Sequence, residues 1–137
     1  MNIHTYEHTH MHALFYLLSI AFFTLHRYSA EHLDLVRYFI SRGADVNKAS
    51  DAGATLLILA AHEGNDEMVK LFIDKGAVVD QKDKRGRTSL MLAAFKGYSE
   101  TAKYLIERGA GVNETNNEGF APLHFASQVS LAVYATD

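Results

Sequence analysis

One text recurs along this chain at a fixed interval. It reads Asp83-Lys84-Arg85-Gly86-Arg87-Thr88-Ser89-Leu90-Met91-Leu92-Ala93-Ala94-Phe95-Lys96-Gly97, a turn that runs into a short helix with small residues at its buried positions. The same pattern stands 33 residues earlier, from Ser50 to Gly64, and starts again 33 residues later at Asn116. Between copies lies a second shared stretch ending in Gly-Ala-x-Val-(Asn/Asp). Gly43, Gly76 and Gly109 keep one phase of the period, and Gly53, Gly86 and Gly119 keep another. A period of this size means stacked repeats, in which each unit buries its apolar face against its neighbours.

Composition narrows the chemistry. The 137 residues suit one domain of ordinary size, and 48% hydrophobic with 21% charged residues are globular values. A net charge of -3 gives the whole molecule no attraction to nucleic acid. With no cysteine, disulfides, thiolate zinc sites and cysteine nucleophiles are excluded. A reducing compartment suits such a chain, so the cytoplasm is the expected location, with the nucleus next.

Residues 1–28 precede the clear repeat text. His4, His8, His10 and His12 lie near the start with Glu7. In an extended chain His8, His10 and His12 share one side, a set that chelates copper, nickel or zinc. A solvated, frayed start is the expectation, with no metal and no other cofactor. Ala13 to Leu25 is apolar except for Ser19 and Thr24. It is shorter than the roughly 20 residues that span a bilayer, and residues 1–12 contain no Lys or Arg for a secretory leader. The run is expected to replace the first helix of the first repeat, a helix already decaying at Arg27 and Tyr28, where the next repeat has Ala60 and Ala61. The second reading is a membrane-attached or secreted protein, held by residues 13–25 or cleaved near Ser19-Ile20-Ala21.

The repeats are expected at 29–49 (partial), 50–82, 83–115 and 116–127 (partial), followed by a divergent tail at 128–137. In the first, Leu35, Val36, Phe39 and Ile40 share a helix face. In the second, helix one buries Leu57, Leu59, Ala60 and Ala61, and helix two buries Met68, Val69, Phe72 and Ile73 after an Asn65 N-cap. In the third, the buried positions are Leu90, Leu92, Ala93 and Ala94, then Ala102, Leu105 and Ile106, with Ser99 as the N-cap. Gly43, Gly76 and Gly109 stand where a left-handed residue ends a helix.

These residues resemble the ankyrin repeat over about 29–127. Ala121-Pro122-Leu123-His124-Phe125-Ala126 is the nearest copy of that family's T-P-L-H-x-A signature. Thr55-Leu56-Leu57-Ile58-Leu59-Ala60 and Thr88-Ser89-Leu90-Met91-Leu92-Ala93 depart from it further. The resemblance implies an all-α solenoid of helix-turn-helix repeats with β-turn fingers. It also implies a structural histidine at His124, whose inter-loop bonding is missing where Ile58 and Met91 stand.

No catalytic motif is present: no Gly-rich phosphate loop, no H-E-x-x-H, no G-x-S-x-G. His62 and Glu63 are adjacent on a helix and are expected to diverge rather than pair. The chain is expected to be non-catalytic. The resemblance implies a protein-binding face made of turn tips and the exposed side of helix one. In the second repeat that face comprises Asp51, Ala52, Ala54, His62 and Glu63. In the third it comprises Lys84, Arg85, Arg87, Phe95 and Lys96, with Lys82 just before, and in the fourth Asn117, Glu118 and Phe120. Lys82, Lys84, Arg85 and Arg87 form a basic finger opposed only by Asp83, suited to an acidic segment of a protein partner, with Phe95 as an apolar anchor. Neither end resembles a polar cap, so self-association, or a place within a longer array, is also expected.

Overall fold

The two middle repeats each hold a pair of glycine-ended helices, and the computed structural model describes residues 30–135, with side chains from 33 to 128. The chain divides into two units, 1–45 and 46–137. In the first, α1 (Ala30–Ser41) buries Val36, while Leu35, expected on the buried face, is 47% exposed. The helix ends as its glycine requires. Gly43 sits at φ 95° and its N–H reaches Ile40 O, and the Ala44 N–H reaches Phe39 O, both at 3.0 Å.

The second unit holds α2 (Leu56–Glu63), α3 (Asp66–Asp74), α4 (Ser89–Lys96), α5 (Ser99–Glu107) and α6 (Pro122–Ala135), and no strand occurs among the described residues. Thr55 and Thr88 cap α2 and α4, their hydroxyls accepting from the N–H of Ile58 and Met91 at 3.3 and 3.4 Å. At the matching place α6 has Ala121, which carries no hydroxyl. There His124 Nδ1 accepts the Ala121 N–H at 3.0 Å, a bond within its own repeat.

The inner helices stack in a row, α4 lying between α2 and α6. Ala60, Ala61 and Ala93 are wholly buried in that row. A larger side chain there would push neighbouring axes apart, and this is why the repeat keeps alanine. Each outer helix packs on its own inner helix, α3 on α2 and α5 on α4. Outer helices also meet: Thr101 Oγ1 of α5 donates to Asp66 Oδ1 of α3 at 2.5 Å. The buried side of α5 therefore includes Thr101 and Leu105, while Ile106 is 46% exposed. The N-cap position of α5 is Tyr98 without a side-chain bond, and Ser99 is the first helical residue rather than the cap. The Tyr98 ring instead covers Gly64, where a Cβ would lie 2.9 Å from the ring.

The shared Gly-Ala-x-Val-(Asn/Asp) ending joins successive repeats. Asn47 Nδ2 donates to Gly76 O at 3.1 Å and Asn47 Oδ1 accepts from the Val78 N–H at 2.8 Å. One repeat on, Asp80 accepts from the Gly111 N–H at 3.0 and 3.1 Å. A carboxylate cannot make the donor half of the Asn47 clamp. Helix α6 continues through Ser127 to Ala135.

Candidate functional site

Three turns project beside the inner helices, each closed in the same way. The Gly53, Gly86 and Gly119 N–H groups reach the carbonyls of Ser50, Asp83 and Asn116 at 2.8–3.0 Å, and the N–H groups of Ser50, Asp83 and Asn116 reach the carbonyls of Ala54, Arg87 and Phe120 at 2.9–3.0 Å. The first residue of each finger also bonds through its side chain. Ser50 Oγ accepts from the Ala54 N–H at 3.2 Å. Asp83 Oδ1 accepts from Arg85 and Arg87 N–H, both at 2.9 Å. Asn116 Oδ1 accepts from Glu118 and Phe120 N–H at 3.0 and 2.9 Å.

The fingers are bonded to one another. Lys84 N–H donates to Ala52 O at 3.1 Å, and Asn117 N–H donates to Arg85 O at 3.0 Å. The Asn117 side-chain amide adds a bond to Lys84 O at 2.8 Å. Such close approach needs glycine at two tips. Gly53 and Gly86 sit at φ 77° and 76°, and a Cβ on them would fall 2.8 Å from Lys84 N and 2.5 Å from Asn117 Oδ1.

This network sorts the residues of the expected face. Arg87 belongs to the fold: its Nη2 and Nε each lie 2.8 Å from Asp83 Oδ2, and the Asp83 side chain is 2% exposed. Lys82 is also engaged, its Nζ 2.9 Å from Glu114 Oε2 and 2.9 Å from Thr115 O. Asn117 serves the finger ladder. Lys84 and Arg85 remain exposed at the middle tip, and among the described residues neither side chain makes an ion pair or hydrogen bond. Asp51 and Ala52 are exposed at the first tip and Glu118 at the third, while Ala54 is half-buried.

Behind the tips the inner helices contribute His62, Glu63, Phe95 and Lys96. His62 Nδ1 lies 3.3 Å from Glu63 Oε1, so the expected divergence of this pair is corrected. The flexible glutamate chain reaches around the helix where the Cβ directions alone would not. Lys96 is exposed, and Phe95 is 44% exposed. Phe95 meets Phe125 edge-on at 6.4 Å, and Phe125 meets Phe120 edge-on at 6.5 Å. Phe120 also lies 5.7 Å from the His124 ring. Phe125 was absent from the expected face. Its spacing from Phe120 and Phe95 shows no shared phase of the repeat, so only the stacking of α4 on α6 brings them together.

His8, His10 and His12, and the apolar run 13–25, lie outside the described residues. Among the described residues no three His, Asp or Glu side chains gather as a metal site. Nor is any described helix long and apolar enough to cross a membrane.

A family model for ankyrin repeats (3 copies) matches residues 25–116. No curated protein matches the chain.

Proposed function

The chain belongs to the ankyrin repeat family, whose members are generally protein-protein interaction modules, and we propose that it is a non-catalytic scaffold or adaptor that holds a partner segment against its finger tips and inner-helix face. The observation that carries this reading is the Phe95–Phe125–Phe120 chain. Aromatic rings that touch each other edge-on while Phe95 stays 44% exposed form a preset apolar anchor site. The fold also leaves cations unengaged: Lys84 and Arg85 at the middle tip, and Lys96, which follows Phe95 in the chain. An acidic, apolar-containing segment of a protein fits both features, the charges setting orientation and on-rate and the rings setting dwell time. The absence of cysteine suits a reducing compartment, which makes the cytoplasm its proposed place of work.

The test is affinity capture or proximity labelling with the wild-type chain beside a Phe95→Ser, Lys84→Ser, Arg85→Ser variant. Loss of a specific captured protein, in a variant that keeps its helical signal and a cooperative melt, is the expected result. Equal capture by both would refute the assignment of the face.

A further inference from the structure

The finger row does not carry one sign of charge. Lys82 and Arg87 are paired with Glu114 and Asp83, and this leaves two of the four cations of the basic stretch without a counter-charge. The charges at the tips that have no partner among the described residues are Asp51 on the first finger, Lys84 and Arg85 on the second, and Glu118 on the third. Their formal charges run −1, +2, −1, so the row as a whole is neutral. None of the four side chains is paired with another in the structure, and the backbone bonds from Lys84 to Ala52 and from Asn117 to Arg85 hold the three tips at fixed separation. The inner-helix ends partly follow the same order: Lys96 adds positive charge to the middle repeat, while Glu63 of the preceding repeat is engaged by His62.

A uniformly acidic segment long enough to reach all three tips would gain at the middle one and be repelled at both flanks. Like charges brought together at an interface rim select against a partner as effectively as opposite charges select for it. We propose that the surface recognises a protein segment of alternating charge: an acidic centre that meets Lys84 and Arg85, basic residues on either side that meet Asp51 and Glu118, and one aromatic or aliphatic side chain for the Phe95–Phe125–Phe120 site. This rests on the reading of the face given above and sharpens it from an acidic partner to a basic–acidic–basic one.

Synthetic peptides test it, all with one phenylalanine and equal length: basic–acidic–basic, uniformly acidic, and acidic–basic–acidic. Fluorescence anisotropy at low salt should rank the first tightest, about fivefold ahead of the uniformly acidic peptide, the scale that two exposed ion pairs support. The Asp51→Lys, Glu118→Lys variant should reverse the order of those two peptides. If the uniformly acidic peptide binds the wild-type chain as well as or better than the first, or if no peptide binds, the alternating pattern is wrong. The face itself is judged separately. Phe95→Ser should weaken every peptide that binds, and unchanged affinity for all of them would overturn the underlying assignment.

Discussion

Arg87 closes on Asp83, the residue that shapes its own finger. The guanidinium Nε and Nη2 each approach Asp83 Oδ2 to 2.8 Å, while Oδ1 of the same carboxylate accepts the Arg85 and Arg87 N–H groups at 2.9 Å. A carboxylate buried in this way is held by four donors, and removing the charged one leaves it short of compensation. Arg87→Ser is therefore expected to destabilise the chain by about 1–3 kcal/mol. Lys84→Ser and Arg85→Ser, at an exposed tip, should each stay within about 0.5 kcal/mol. Urea unfolding of the three single variants separates them, and equal effects would deny the structural role of the ion pair.

Gly86 and Gly119 form a matched pair of probes. Both hold positive φ, 76° and 85°, but only at Gly86 would a Cβ collide, with Asn117 Oδ1 at 2.5 Å and Asn117 N at 2.8 Å. Gly119→Ala should cost about 1–2 kcal/mol, the left-handed penalty alone. Gly86→Ala should cost clearly more and break the bond from Asn117 to Arg85. Thermal melts of both variants check this, and a Gly86 variant no worse than the Gly119 variant would contradict the ladder.

The repeat was legible in the sequence because glycine and alanine phases report backbone geometry directly. Gly43, Gly76 and Gly109 mark helix ends, and Ala60, Ala61 and Ala93 mark the stacking line, with no need to know where distant side chains go. The site was less legible. Lys82, Lys84, Arg85 and Arg87 look alike as a charge run, and their division depends on Glu114 and on which way the Asp83 carboxylate turns. Phe95, Phe120 and Phe125 share no phase of the repeat, so the part of Phe125 in the aromatic chain follows only from the stacked helices.

Ser89 occupies the position that Pro122 fills in α6, and its hydroxyl is buried with no hydrogen-bond partner. Thr88 before it is already extended, φ -97° and ψ 166°, as a residue preceding proline must be. Proline at the first helical position also gives up only an N–H that the helix does not use. Ser89→Pro should raise stability by about 0.5–1 kcal/mol. A lowered melting midpoint would mean that the buried site cannot accept the ring.

Ala60→Leu and Ala93→Leu each add three carbons at positions with 0% exposure between stacked inner helices. Overpacking of this kind costs about 1–3 kcal/mol. Calorimetry should show lowered midpoints for both, and an unaltered curve for either would misplace the stacking line.

Leu123 of α6 is 77% exposed, whereas Leu57 and Leu90, at the same phase of α2 and α4, are 1% and 2% exposed. The chain is expected to self-associate through this face, since the same leucine elsewhere is covered by protein. Light scattering over a concentration series should show growth in mass that Leu123→Glu suppresses. A monomer at every concentration would rule this out.

The most direct test of the central claim is hydrogen-exchange mass spectrometry of the chain with a captured partner. The account predicts added protection at the finger tips, residues 51–52, 84–85 and 117–120, and along Phe95 and Lys96. The outer face of α3 and α5, where Tyr104 lies 5.5 Å from Lys70 Nζ and 5.0 Å from Arg108 Cζ, should exchange as before. Protection confined to that outer face, with the fingers unchanged, would contradict it.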